Sequence, residues 1–149
     1  MKLILNETPK WTKKHMDFFR KYEQSYGISI SEALYQEELN NIINGNPSPR
    51  CCTSQWCYEI FENDLYLGDI ITNEDNEIDI LIFDEYAGNS YAYMAIKLFL
   101  EEHHTSGLCF EAVVREENKE KERIKNVLNK VGFYNVETSI EGNEIWQFK

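Results

Sequence analysis

The sequence lacks any apolar run near the ~18 residues that a membrane-spanning helix needs. The first residues, MKLILNETPKW, form an apolar stretch too short for a signal peptide. The four cysteines, at positions 51, 52, 57 and 109, include no pair with C-x-x-C spacing. These absences predict a cytoplasmic chain with reduced thiols and no membrane association.

The cysteines leave one alternative open. Cys51, Cys52 and Cys57 could form part of a metal site, but no histidine lies nearby in the sequence. Buried or unused thiols are the favoured interpretation, and no metal site is predicted.

Basic residues are scarce in the middle of the chain. Residues 51–105 contain a single base, Lys97, against twelve acids, whereas the segments on either side are nearly balanced. This segment therefore accounts for the net charge of −11. Such a field repels nucleic acid and attracts cations. The acids either lie on turns and solvent-facing positions, where they aid solubility, or they recognise a cationic substrate.

Neither an internal repeat nor an internal linker interrupts the 149 residues. A hydrophobic content of 42% is typical of a globular protein. The sequence therefore predicts a single domain over residues 1–149.

The chain is organised around the stretch EIDILIFDEYAGNSYAYMAIKLFL, residues 77–100. Its apolar, β-branched run Ile78–Phe83 predicts a strand buried on both faces. After a break over residues 84–90, apolar residues recur at helical spacing from Tyr91 to Leu98. A strand, a turn of small residues and a helix start direct unpaired backbone N–H groups at one point. A pyrophosphate is a natural ligand for such a point.

The segment before residue 50 predicts one strand and two helices. Residues 1–6 alternate as a strand, and Pro9 fits the start of a helix. His15 lies within that helix's apolar set and is interpreted as a core or rim histidine, not a ligand. The other members of the set are Trp11, Phe18, Phe19 and Tyr22. Tyr26-Gly27 marks a break. Ser29 and Glu32 form a capping-box pattern for the second helix, and Gly45 ends it.

The remaining residues predict five more strands and one more helix around the central unit. Two hairpins between residues 56 and 83 form an antiparallel meander that ends in the central strand. His103 and His104 fit the C-terminal end of the central helix. Leu108–Val114 predicts a buried strand, residues 119–131 an amphipathic helix that Gly132 ends, and residues 136–140 and 145–148 a last hairpin.

This order of elements resembles the GNAT N-acetyltransferase superfamily. The central stretch resembles its acyl-CoA-binding motif, Arg/Gln-x-x-Gly-x-Gly/Ala, at residues 87–92. Ala87 stands where the family has Arg or Gln, and Ser90 where it has Gly, so the pyrophosphate loop is degenerate. Leu67-Gly68-Asp69-Ile70 resembles the family's third strand, and Gly132-Phe133 matches its Gly-Phe before the next strand.

The resemblance implies an α/β (α+β) fold with a mixed, mostly antiparallel seven-stranded sheet and about four helices. Only the strands Ile78–Phe83 and Leu108–Val114 would pair in parallel, and they would splay apart to admit the pantetheine arm of an acyl-CoA. It implies acetyl-CoA as the acyl donor. The residues that would contact it are Ile82, Phe83, Gly88, Asn89, Ser90, Tyr91, Ala92 and Asn118.

The implied reaction is direct attack of a primary amine on the thioester. A free amine has a pKa near ~10, so a base must remove a proton at neutral pH. Asp79 is the first candidate and Glu77 the second, because strand alternation places both on one face. The alternative is that both are ordinary solvent-facing carboxylates. The family's usual general acid, a Tyr four residues before the Gly of Gly-Phe, corresponds to Leu128.

Two function hypotheses follow. The first is an N-acetyltransferase acting on a small cationic amine or a peptide amine. The second is a non-catalytic acyl-CoA-binding or protein-interaction module that keeps the fold. The chain is expected to be a monomer or a homodimer.

Overall fold

The computed structural model describes residues 1–26, 28–51 and 54–149. Two antiparallel sheets form the centre. The first has the order β1-β2-β3-β4, and the second β5-β7-β6. The strands are β1 (Lys2–Asn6), β2 (Gln55–Glu62), β3 (Leu65–Asn73), β4 (Ile78–Ile82), β5 (Phe110–Val114), β6 (Tyr134–Thr138) and β7 (Glu144–Phe148). The helices are α1 (Lys13–Lys21), α2 (Glu23–Tyr26), α3 (Glu32–Ile43), α4 (Tyr91–His103) and α5 (Lys121–Val131).

The predicted fold class is confirmed, and the sheet is divided more sharply than expected. β4 and β5 meet in parallel at a single bridge between Glu77 and Glu111. There the Glu111 N–H donates to the Asn76 carbonyl at 3.0 Å. Beyond this point the strands separate, so four strands form one sheet and three form another.

Each face of β4 packs against a different hydrophobic cluster. Leu81 and Phe83 are buried beneath α1 with Phe18 and Phe19. Ile78 belongs to the main core, which α4 and α5 cover from the other side. The period of two along β4 therefore assigns odd positions to the α1 face and even positions to the α4 face.

Gly68 allows β3 and β4 to approach closely. It lies opposite Ile82 in the ladder, and a Cβ at this position would overlap the carbonyl oxygen of Leu81. A glycine is therefore required here by backbone contact.

A buried polar network joins α1 to β3. Asp69 is 0% exposed and accepts hydrogen bonds from Arg50 Nη1 at 2.7 Å and from the Tyr66 hydroxyl at 2.5 Å. His15 Nε2 lies 2.7 Å from the same carboxylate, and its Nδ1 lies 2.7 Å from Thr12 Oγ1. His15 was expected at the core or at its rim, and the structure places it in the core, since it is 1% exposed.

Two helix starts were wrongly predicted. α1 begins at Lys13 with Thr12 as its N-cap, because the residues after Pro9 pair with residues 48–50 instead of turning into a helix. Here Trp11 N–H donates to the Ser48 carbonyl at 3.0 Å. α3 begins at Glu32, and the capping hydroxyl is that of Ser31, which accepts from Leu34 N–H at 3.1 Å, not that of Ser29.

The remaining predictions concern the end of α3, the cysteines, a metal site and a membrane-spanning helix. The helix end at Gly45 is confirmed by its left-handed φ of 75°. The break predicted at Gly27 lies outside the described residues, as does Cys52. Cys51, Cys57 and Cys109 are free thiols. Within the described part of the chain, no cluster of His, Cys, Asp and Glu is arranged to hold a metal ion, and no helix is long and apolar enough to cross a membrane.

Candidate functional site

The gap between the diverging strands β4 and β5 is a cleft of about 360 Å³. Apart from Asp79, the strand residues in its wall are apolar: Ile78, Ile80, Ile82, Ala112 and Val113. The turn before α4 borders it, and residues of α1, α2, α4 and α5 complete the wall. The cleft thus exists because a single bridge is all that joins the two sheets in the described ranges.

The backbone of β4 presents polar groups to this cleft. Phe83 N–H donates to the Leu67 carbonyl on β3 at 2.9 Å, which fixes the odd positions as the ones that bond to β3. In an antiparallel ladder the N–H and C=O of the alternate residues point the other way. The backbone groups of Ile80 and Ile82 therefore face the cleft. The Tyr26 hydroxyl donates to the Ile80 carbonyl at 2.7 Å from that side.

Ile82 and Phe83, both predicted to contact the acyl donor, differ in their position relative to the cleft. Ile82 lines the cleft with its backbone directed into it, as the resemblance implies. Phe83 is 2% exposed, and its ring packs against His15 at a centroid distance of 5.1 Å. Its carbonyl accepts from Tyr86 N–H at 2.9 Å, so both of its backbone groups are bonded within the chain. Phe83 shapes the turn from behind and does not line the cleft.

The turn from β4 into α4 has the geometry expected of an anion-binding loop. Gly88 has a φ of 82°, and Ser90, the N-cap of α4, has a φ of 62°. Gly88, Ser90, Tyr91 and Ala92 all line the cleft. A Cβ at Gly88 would meet nothing within 4 Å, so its backbone is open to a ligand. The first N–H groups of α4 therefore start at the mouth of the cleft.

Asn89, predicted to contact the acyl donor, is not among the residues that line the cleft. Its Nδ2 donates to the carbonyls of Tyr86 at 3.2 Å and Ala87 at 3.4 Å. These hydrogen bonds lie within the turn and stabilise its conformation. Ser90 adopts the left-handed conformation that a glycine would take more easily, at a cost of about 1 kcal/mol.

Two lysines of α1 offset the acidic residues of this turn. Asp84 accepts hydrogen bonds from Lys21 Nζ at 2.5 Å and from the Tyr22 hydroxyl at 2.6 Å. Burial raises the pKa of Asp84, but these hydrogen bonds outweigh it and hold that pKa below its ordinary value. Lys14 forms an ion pair with Glu85. The excess negative charge of the sequence is therefore locally neutralised at the turn.

Asp79 is the carboxylate that the fold brings to the cleft. It remains accessible to solvent through the cleft, yet surrounding protein atoms limit its hydration. This burial, together with the nearby charge of Glu77, raises the pKa of Asp79 to about 6, with Arg115 opposing the shift. Among the described residues its carboxylate has no hydrogen-bond partner. Asp79 is therefore available to take up a proton near neutral pH.

Glu77 lies outside the cleft. It stands at the bridge where β4 meets β5, and Asn73 Oδ1 accepts its N–H at 3.0 Å. Its carboxylate acts on the site through its charge, by raising the pKa of Asp79. Of the two predicted bases, the structure brings only Asp79 into the cleft.

Asn118 and Leu128 line the cleft from the β5 side. Asn118 is buried, and its Oδ1 accepts from Glu120 N–H at 2.9 Å, which shapes the entry into α5. Leu128 is 4% exposed and presents an aliphatic side chain where the family has its tyrosine acid. The wall at that point is apolar.

Sequence reasoning missed two residues of this site. Tyr26 precedes a glycine and was interpreted as part of a break, but its hydroxyl reaches the central strand. Arg123 lies on the polar face of α5 and lines the cleft. No local motif marks either residue, because both reach the site through contacts between distant segments.

Comparison with solved structures identifies the fold. An acetyltransferase from Thermus thermophilus matches over 98% of this chain and 97% of its own, with a TM-score of 0.56 and 16% identity. The aminoglycoside acetyltransferase AAC(6')-Ib, in complex with coenzyme A, matches over 99% and 95%, with a TM-score of 0.61 and 13% identity. The spermidine N-acetyltransferase SpeG from Vibrio cholerae matches over 98% and 92%, with a TM-score of 0.59 and 13% identity.

Comparisons by sequence give no match. No family profile matches the chain. No curated protein matches it either. The structural matches nevertheless cover nearly all of the chain, and the chain therefore has the fold of the GNAT acetyltransferases.

Proposed function

We propose that this protein is an N-acetyltransferase that transfers an acetyl group from acetyl-CoA to a primary amine. One observation carries the proposal: one cleft holds open strand backbone, the start of helix α4 and an unpaired carboxylate whose pKa is raised to about 6. The solved structures that share the fold include acetyltransferases, two of them in complex with coenzyme A.

The donor would lie along β4. Its diphosphate would accept hydrogen bonds from the backbone N–H groups that open α4, with Gly88 allowing close approach. Its pantetheine arm would continue the sheet beside Ile80 and Ile82, whose backbone groups are directed away from β3. The thioester carbonyl would then lie near the Ile82 N–H, which would stabilise the developing oxyanion.

Asp79 would act as the general base. The substrate amine must be neutral to attack, and a carboxylate with a pKa of about 6 is ionised at pH 7 yet still basic enough to accept its proton. The nitrogen–carbon bond forms, the carbon–sulfur bond breaks and the amine proton passes to Asp79. Because Leu128 has no ionisable proton to donate, the sulfur leaves as a thiolate, which is feasible for a thiol pKa near ~8.5.

The acceptor side of the cleft favours a cationic amine. Phe18, Tyr22 and Tyr26 line the same cleft as Asp79 and contribute aromatic rings to its wall. Such a combination attracts an ammonium group through both carboxylate charge and cation–π contact. Asp84 also lines this side, although Lys21 offsets its charge. We infer a small cationic amine or a peptide amine as the acceptor, in the cytoplasm.

A second function has its own support. The absence of the family's tyrosine at Leu128 and of its arginine at Ala87 fits a non-catalytic module that binds acyl-CoA or a protein partner. In that case the backbone groups of α4 would still bind the donor, and Asp79 would remain idle.

An assay of acetyl-CoA turnover separates the two functions. Thiol release would be followed with a panel of polyamines, aminoglycosides, amino acids and peptides, and the products checked by mass for one added acetyl group. Acceptor-dependent thiol release with a matching product supports the transferase. Tight acetyl-CoA binding without turnover of any amine in the panel favours the non-catalytic module.

A further inference from the structure

The turn that would bind the phosphates of the acyl donor, residues 84–92, carries no cation of its own. Ala87 occupies the position where an arginine would contact the diphosphate, and residues 84–92 contain two acids and no base. Lys14 and Lys21 neutralise those acids and are committed to them. A diphosphate bound at this turn would have to find its counter-charge elsewhere in the cleft.

Arg123 is the cation that faces the cleft. Among the described residues that form its wall, no other lysine or arginine is present. The residue lies in the first turn of α5 and lines the same cleft as the turn that opens α4. Helices α4 and α5 pack against each other, so this placement is fixed by the core.

The guanidinium of Arg123 is available to a ligand. Its side chain is 63% exposed, and its ion pair is a long one, 3.6 Å from Nε to Glu120 Oε2. Its positive charge reaches the opposite wall. After the hydrogen bonds of Lys21 and Tyr22, it contributes to the lowered pKa of Asp84. An exposed pair of this kind contributes little stability, so a phosphate could displace Glu120 at small cost.

We propose that Arg123 provides the phosphate-binding cation of this protein, in place of the arginine missing at Ala87. This inference rests on the proposed function. The forked guanidinium would bind phosphate oxygens of acetyl-CoA from the α5 side, while the backbone N–H groups of α4 bind them from the other. The cleft mouth would then close around the diphosphate from two helices.

The test is calorimetry with two donors that differ in their phosphates. Acetyl-CoA and acetyl-pantetheine, which carries the same thioester without phosphate, would be titrated into the native protein and into Arg123→Ala. We expect Arg123→Ala to weaken acetyl-CoA binding by roughly tenfold to a hundredfold, the value of one charge-assisted contact. Acetyl-pantetheine binding should be unchanged, and the difference between the proteins should shrink as salt is added.

Two further variants complete the test. Lys125→Ala is the matched control, because Lys125 lies on the same helix and is bound to Glu144 Oε2 at 2.9 Å instead of facing the cleft. It should bind acetyl-CoA like the native protein. Ala87→Arg introduced into Arg123→Ala should restore most of the lost affinity, since it returns a cation to the opposite side of the same diphosphate.

The outcomes distinguish the role of Arg123 from the proposed function. Native-like acetyl-CoA binding by Arg123→Ala, with circular dichroism showing a folded protein, overturns the role of Arg123 and leaves the proposed function standing. An equal loss for acetyl-pantetheine also overturns it, because the contact would not be to phosphate. Failure of the native protein to bind acetyl-CoA overturns the proposed function itself.

Discussion

Two aspartates on neighbouring strands have opposite environments. Asp69 on β3 is completely buried and surrounded by Arg50, His15 and Tyr66. Burial raises the pKa of Asp69, but the hydrogen bond from His15 and the charge of Arg50 bring it below its ordinary value. Asp79 on β4 has no such partners in the described chain, and its pKa is raised to about 6.

The contrast shows that burial alone does not decide what a carboxylate does. Where donors surround it, the charged form is fixed and the residue contributes to holding the fold. Where desolvation acts without donors, the proton is held more tightly and the residue can exchange it. Asp69 therefore joins α1 to the sheet, whereas the Asp79 carboxylate has no hydrogen-bond partner among the described residues.

The largest effect on stability is expected at Asp69. Asp69→Asn leaves the buried Arg50 guanidinium without its counter-charge, which should lower the free energy of unfolding by about 3–5 kcal/mol. Urea denaturation at pH 7 measures this. Asp79→Asn is the matched control on the next strand and should cause no loss. Equal destabilisation by both variants would remove the distinction between the two sites.

A smaller loss is expected at Tyr66. Tyr66→Phe keeps the ring that packs against Phe61 and Phe83 but removes the hydroxyl that donates to Asp69 at 2.5 Å. A hydrogen bond to a charged group contributes about 1.5–3 kcal/mol, and the lower end is expected because Tyr66 is partly exposed. In urea denaturation, Tyr66→Phe and the native protein should show the same dependence of the unfolding free energy on urea concentration. No loss would mean that Arg50 and His15 suffice to hold Asp69.

The two aspartates should also give opposite dependence of stability on pH. Because the pKa of Asp69 is depressed, its contribution is complete above its ordinary value of 3.8 and is lost as pH falls through the lower folded value. Because the pKa of Asp79 is raised, the native state binds its proton more tightly. Stability from this group therefore falls as pH rises from 3.8 to about 6.

Removing the Asp79 charge should then stabilise the protein slightly. At pH 7, Asp79→Asn is expected to raise the free energy of unfolding by no more than ~1 kcal/mol, since solvent in the cleft screens the charge. The gain should vanish below pH 3.8, where the native residue is protonated in both states. Denaturation curves at several pH values measure it. A gain that is independent of pH would point to a cause other than ionisation.

The smallest effect is expected at the turn beside Asp79. Ser90→Gly relieves the left-handed backbone at a φ of 62°, and the gain is partly cancelled by the greater entropy of glycine in the unfolded chain. We expect a stabilisation of a few tenths of a kcal/mol. Thermal unfolding would detect it. A clear loss of stability would show that the Ser90 side chain supports the turn.

Local patterns were sufficient to predict most of the fold. The apolar run Ile78–Phe83, the small-residue turn and the helical spacing after Tyr91 gave the central unit, because each depends on residues close in sequence. The two helix starts were wrongly predicted because local patterns do not record contacts between distant segments or choose between neighbouring caps. Serines at 29 and 31 are both capable caps, and the pairing of residues 9–11 with 48–50 is a long-range contact that no local pattern records.

The site was less predictable than the fold. Strand alternation placed Glu77 and Asp79 on one face, but the bridge at Glu77 removes it from the cleft. Three contacts depend on how whole helices pack against the sheet. They are the hydrogen bond from the Tyr26 hydroxyl to β4, the position of Arg123 in the cleft wall and the ion pair of Lys21 with Asp84. The acidic residues could be counted in the sequence, but their ion pairs with lysines at the turn became visible only in the three-dimensional structure.

The pH dependence of acetyl transfer tests most directly the claim that Asp79 is the base. For the native protein, kcat/KM should rise with pH through about 6, the pKa of Asp79. Glu77→Gln should shift this step to lower pH, because it removes a charge that raises that pKa. Asp79→Asn should abolish the step and lower kcat by roughly 10²–10⁴-fold at pH 7, with the loss reduced at high pH. Turnover by Asp79→Asn at the native rate, with the step near pH 6 retained, would contradict the assignment.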